Sequence, residues 1–218
     1  MMAIDRKQID AALSRQPTAD QCRAIDRVLS ARRRVAGMRA AAAVRAGDDS
    51  PWLVLRVRSG REIAVRDDLK TAGIEALVPM KLGPRLRRFH KEIPPKLQPV
   101  MIGYILVRCQ LGNDAMAGLL TFEHVSGVLG GCDKPYLVDA RHVNDFKEKA
   151  DKGEFNHEVP HAAFAGVSRV AIREGIFAGR TADLVSGGGK GKGVAVVELM
   201  LFGQSTPMIM PLAFLAPL

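Results

Sequence analysis

Cysteine is scarce in this 218-residue chain, and the three present, Cys22, Cys109 and Cys132, are odd in number and never spaced C-x-x-C. A zinc knuckle, a dithiol redox centre and a disulfide framework are thereby excluded, and buried thiols in a reducing compartment are the expectation. No apolar run reaches the roughly 20 residues that a membrane span needs, and the Met-Met-Ala-Ile-Asp-Arg start lacks a leader pattern. Asp5, Asp10, Asp20 and Asp26 make the Ala-rich stretch from Ala36 to Ala46 a poor transit peptide. A cytoplasmic protein without membrane contact is expected.

Catalytic patterns are missing as well. There is no G-x-S-x-G elbow, no G-x-G-x-x-G after a strand, and no cysteine with an evident histidine partner. The run Gly187–Gly193 carries Lys190 and Lys192, but Gly193 stands where a P-loop needs Ser or Thr, so it reads as a flexible hairpin. His157 and His161 flank a proline rather than a helical turn, which argues against a metal pair. The chain is read as a non-enzymatic binding protein that requires no cofactor.

What is present is ample core material, 47% hydrophobic residues, and a net charge of +9. The charge is unevenly placed: the excess is +4 over residues 1–50, +7 over 51–110 and −2 over 111–218. A basic middle and a near-neutral end suggest that one surface meets a polyanion and another does not.

Periodicity divides the chain into four parts. Residues 1–50 form a helical extension: Thr18 and Gln21 make a capping box, and Cys22, Ile25, Val28 and Leu29 share a helical face expected to dock on protein. Arg32, Arg33 and Arg34 follow as a second candidate contact, toward DNA. Residues 51–152 are expected to be an α+β domain with an antiparallel or mixed sheet. Leu53, Leu55 and Val57 alternate as in a half-buried strand. Ser59–Glu62 reads as a capping box before a helix through Val65 and Leu69 that Gly73 terminates.

A second strand is expected around Glu75–Pro79, a charged loop or long hairpin over 81–96, and a central strand over Val100–Val107. Beyond these, Asn113 is expected to cap a short helix, Tyr136–Val138 to form a strand, and Asp139 to cap a helix with Val143 and Phe146 inward. Residues 153–163 read as a linker. Residues 164–218 turn to short strands with glycine turns, at Val167–Arg173, Thr181–Val185, Val194–Phe202 and Met208–Phe214, the pattern of a small β-barrel.

Several pieces in this order resemble the NGN and KOW domains of the NusG and RfaH transcription factors. They are Trp52-Leu53-Val54-Leu55, Gly60-Arg61-Glu62, Val78-Pro79 and Gly103-Tyr104-Ile105-Leu106-Val107 in the first domain. In the second they are Val170–Gly179 and Phe202-Gly203-Gln204-Ser205-Thr206-Pro207. The resemblance covers about residues 51–218. Met101-Ile102 replace the usual Phe-Pro, Ile176 replaces a proline, and Gln204 stands where the family has Arg, so the chain resembles a specialised paralogue.

The resemblance implies an α+β NGN domain that holds RNA polymerase at its clamp, through Trp52, Pro79, Met101, Ile102, Gly103 and Tyr104. Without it, the apolar residues of that set read as ordinary core. Arg85, Arg87, Arg88 and Lys91 are candidates for the backbone of the non-template strand or the upstream duplex, with Phe89 and His90 as stacking partners. A KOW barrel (SH3-like) presenting Ile172, Phe177 and Phe202 is implied to meet a termination helicase or a small-subunit ribosomal protein. The factor is expected to be a monomer when free. It is expected to regulate pausing and termination, with antitermination favoured. The alternative is an RNA-binding protein of translation or ribosome assembly that uses the same barrel.

Overall fold

The computed structural model describes residues 17–218 apart from 45, 84–85, 89–90, 157–163 and 187–192. The chain divides into two compact units, residues 1–37 and 38–218. Helix α1 spans Ala19–Ala42. Its start follows the expected capping box: the Thr18 N–H donates to Gln21 Oε1 at 2.9 Å and the Gln21 N–H to Thr18 Oγ1 at 3.4 Å. In the first unit its side chains are almost all exposed, Ile25, Val28 and Leu29 among them.

The second unit opens with β1 (Trp52–Val57), α2 (Glu62–Thr71) and β2 (Glu75–Leu77). Two nested antiparallel ladders then form one long hairpin: β3 (Met80–Leu82) pairs with β6 (Leu97–Pro99), and β4 (Leu86–Arg88) with β5 (Lys91–Ile93). The chain continues through β7 (Tyr104–Arg108), α3 (Asn113–Leu120), β8 (Val125–Val128), β9 (Leu137–Val138) and α4 (Ala140–Asp151). The first sheet is antiparallel, ordered β2-β7-β1-β8, with β9 also on β1. A second antiparallel sheet is ordered β13-β12-β11-β10-β14. Its strands are β10 (Arg169–Ile172), β11 (Thr181–Ser186), β12 (Val194–Leu201), β13 (Gln204–Pro211) and β14 (Leu215–Pro217).

Successive side chains of a strand point to opposite faces, and here both faces of β1 are covered. Leu53, Leu55 and Val57 join Ile105 and Val107 in a core closed by Val65 and Leu69 of α2 and by Met116 and Leu119 of α3. Trp52 and Val54, with Tyr104 and Leu106, belong to a second core that includes Val143 and Phe146 of α4 and runs on into Val170 and Val197 of the second sheet and Phe214 of the short helix between β13 and β14. The two sheets therefore share one continuous apolar cluster.

Several local expectations are corrected. Ser59–Glu62 is not a capping box: α2 starts after Arg61, with no side-chain cap. Gly112 rather than Asn113 precedes α3. The central strand is shorter than Val100–Val107, because Val100–Gly103 turn into it. Part of the expected linker is ordered, as a one-turn helix at Glu154–Asn156 with Phe155 buried. Cys22 and Cys132 are exposed, and only Cys109 is buried. Gly73 does end α2 as expected: with φ +81° it lets the Ile74 N–H reach Leu69 O at 2.9 Å. Asp139 caps α4 by accepting from the Arg141 N–H at 2.8 Å.

Candidate interaction surfaces

The residues around Gly103 are held by a long-range bond rather than a local one. The Gly103 N–H donates to Oε1 of the buried Glu62 at 2.7 Å, which ties the first turn of α2 to the turn before β7. Gly103 sits at φ +84°, with the Val57 N–H on its carbonyl at 2.8 Å. Turn and strand thus place Met101 and Tyr104 in the core shared with Trp52, while Ile102 stays half-buried. Pro79, ahead of the long hairpin, is buried.

Burial raises the Tyr104 phenol above its usual pKa, and the nearby Arg56 guanidinium partly offsets this. Trp52 carries Arg108 over its ring at 5.0 Å, and Arg108 is itself paired with Glu75 at 2.7 Å. The indole N–H of Trp52 is buried and finds no hydrogen-bond partner among the described residues.

Of the basic candidates, Arg87, Arg88 and Lys91 lie on β4 and β5 at the end of the long hairpin, with Arg88 registered opposite Lys91. Arg85, Phe89 and His90 fall outside the described residues, as do His157, His161 and most of the Gly187–Gly193 loop.

In the second sheet, Ile172 and Phe177 are core, whereas Phe202 is 58% exposed. Phe202 and Gly203 form the two-residue turn between β12 and β13, at φ +51° and +77°. Such turns favour Asn or Gly at both positions, so a phenylalanine there is a strained placement. Its ring meets Tyr136 edge-on, with centroids 6.4 Å apart.

A contact absent from the sequence reading is the one between the two sheets. Tyr136 stacks at a tilt on Phe177, 5.2 Å between centroids, and its hydroxyl donates to Ile176 O at 3.3 Å. Phe214 meets Phe146 at 5.9 Å and Phe155 at 4.9 Å, both edge-on. Lys149 of α4 bonds Glu174 at 2.5 Å, which raises the Lys149 ammonium above its usual pKa. No sequence signal pairs these residues, since each pair is brought together by the docking of separate elements.

Among the described residues no group of His, Cys, Asp or Glu is arranged to hold a metal ion, and no helix is long and apolar enough to cross a membrane.

Residues 50–147, which span the first sheet with its helices α2 and α3 and most of α4, match the family model described as transcription termination factor nusG. No curated protein matches the chain. Among solved structures, NusG of Thermotoga maritima, from a study of its domain interaction, is 17% identical with a TM-score of 0.40, over 78% of this chain and 99% of that one. A chain of the MjSpt4:Spt5 complex in conformation A is 15% identical with a TM-score of 0.21, over 77% of this chain and 97% of that one.

Proposed function

We propose that this chain, whose residues 50–147 form a NusG-type domain, is a transcription-elongation regulator that docks on RNA polymerase and modulates pausing and termination. The match of that family to the first sheet is the observation that carries the reading. Docking uses the face of β1 and β7 that bears Trp52 and Tyr104, together with Pro79, Met101, Ile102 and Gly103. Arg87, Arg88 and Lys91 of the long hairpin lie along nucleic-acid backbone beside it, with Arg85 as a further candidate outside the described residues, a role that needs charge and no base reading. The second sheet, read as the KOW barrel, recruits a second factor through the exposed Phe202. Antitermination is the favoured sign. Both roles are binding, and neither calls for a cofactor.

The apolar part of the docking face is buried as the chain stands: Trp52, Met101 and Tyr104 belong to a cluster that takes in Val143 and Phe146 of α4 and continues into the second sheet. Engagement of polymerase therefore requires the second sheet to move off α4 and Tyr136. The unpartnered indole N–H of Trp52 supports this reading: a buried donor without an acceptor costs about 1–3 kcal/mol, which an uncovered or docked state relieves. The test is single-round transcription by bacterial RNA polymerase over a pause and an intrinsic terminator, with and without the full chain. Changed pause lifetime or read-through supports the proposal. Unchanged products at saturating protein, with an interface-loosened variant such as Lys149→Glu equally inert, refute it.

A further inference from the structure

The face of β1 that carries Trp52 and Val54 continues to Arg56, and there its cover ends. Arg56 is exposed, pairs in register with Tyr104, and has no carboxylate partner among the described residues. It lies in a cleft of about 500 Å³ between the two sheets. One wall is Arg56 with Gly130 and Gly131. The other is the β12–β13 turn, with Phe202, Gln204 and Thr206. The volume falls within the roughly 300–1,000 Å³ typical of small-ligand sites.

The walls differ in chemistry. The Phe202 ring lies against Gly130, where a Cβ would stand 2.6 Å from its Cε2 atom, meets Tyr136 edge-on, and leaves the rest of its surface exposed. Gly131, at φ +89°, has nothing within 4 Å of the position a Cβ would occupy, so backbone is open on that side. Gln204 and Thr206 stand across from Leu201 and Leu199 on the inner side of the hairpin and bring hydrogen-bonding groups to the same space. The cleft thus holds one unpaired cation, one exposed aromatic ring and polar groups between them.

We propose that this cleft binds one nucleotide of a single-stranded nucleic acid, with its phosphate on Arg56 and its base stacked on Phe202. A guanidinium forks onto phosphate oxygens, and a flat ring takes any base by stacking. An acidic peptide satisfies Arg56 but leaves the ring without a flat partner. Because the walls come from the two sheets, the bound nucleotide bridges them and holds the closed arrangement. The site exists only while the two sheets are together, so its occupation opposes the opening that polymerase docking requires, and its test needs no polymerase.

The test is titration of the full chain with uridine 5′-monophosphate, followed through the amide resonances of Gly130 and Gly131. Fluorescence anisotropy with labelled hexamers of oligo(U) and oligo(dT) accompanies it and separates RNA from DNA. The mononucleotide keeps binding by the basic hairpin and by α1 from masking the site. Saturable shifts at both glycines are expected. Arg56→Gln should weaken them about tenfold, the loss of one charge-assisted contact. Phe202→Asn, which suits the left-handed backbone, should weaken them at least about fivefold, while Phe202→Trp keeps binding. The proposal is overturned if neither glycine shifts saturably, if both weakening variants bind like the wild type, or if a hexaglutamate peptide fills the cleft more tightly than the nucleotide.

Discussion

The carboxylate of Glu62 accepts the backbone N–H of Gly103 at 2.7 Å across 41 residues of sequence. This one bond sets the turn that delivers Met101, Ile102 and Tyr104 to β7, so a helix start governs the geometry of the candidate docking face. Glu62→Ala leaves the Gly103 N–H buried and unpaired, and a loss of about 1–3 kcal/mol in urea unfolding is expected. Glu62→Gln keeps an acceptor and should recover most of it.

The contact between the sheets is set by few polar groups. The Lys149–Glu174 pair is more than a third exposed on both sides, so its deletion should change little, about 0.2–1 kcal/mol. Reversing one charge adds repulsion: Lys149→Glu should loosen the contact, read as a change in the fluorescence of the single tryptophan, Trp52. Exchange of both charges should restore the wild-type signal. The folded Lys149 pKa is raised, so the pair's contribution is complete below about pH 10.5, the usual lysine value, and is lost as pH rises through the folded value.

At the lower end of α1, Arg39 donates to Thr121 Oγ1 and Thr121 O, each at 2.8 Å, and lies 4.2 Å over the Phe122 ring. Arg39→Ala should cost about 1.5–3 kcal/mol in denaturant unfolding. Arg23→Ala, which breaks an exposed pair with Asp20 and an exposed bond to Ala19 O, should be near neutral. Gly118→Ala should be more disruptive than either, because its Cβ would stand 2.2 Å from the backbone oxygen of Met38.

Thiol chemistry separates the three cysteines. Burial pushes the Cys109 thiol up to about 11, whereas Cys22 and Cys132 are exposed. Titration with a disulfide reagent at pH 8 should modify two thiols quickly and the third only after denaturation. Three fast thiols in the native protein would contradict the described core.

The sequence disclosed what its short-range patterns encode. Alternation marked Trp52–Val57 as a strand, and Thr18–Gln21, Gly73 and Asp139 announced their helix ends. It misjudged Glu62, because a capping box is a local pattern and here a donor 41 residues away holds the carboxylate. It missed β14, a short stretch ending in proline that is a strand only because β10 pairs with it. The candidate docking residues were nameable from their resemblance, yet the cluster that buries them runs on into the second sheet through Tyr136, Phe146 and Phe214 meeting partners far along the chain. No periodicity encodes those meetings. Arg56 read simply as the polar side of a strand, and only the arrangement of the two sheets makes it the floor of a cleft.

The most direct measurement is the affinity of the full chain for bacterial core RNA polymerase in four forms: wild type, Lys149→Glu, and Lys149→Glu combined with Tyr104→Ala or with Ile102→Glu. Circular dichroism confirms that each is folded. The account predicts tighter binding by Lys149→Glu than by the wild type, and a loss of at least about tenfold, roughly 1.4 kcal/mol, when either face residue is changed in that background. Folded Lys149→Glu protein that does not bind polymerase, or binding indifferent to both Tyr104 and Ile102, contradicts it.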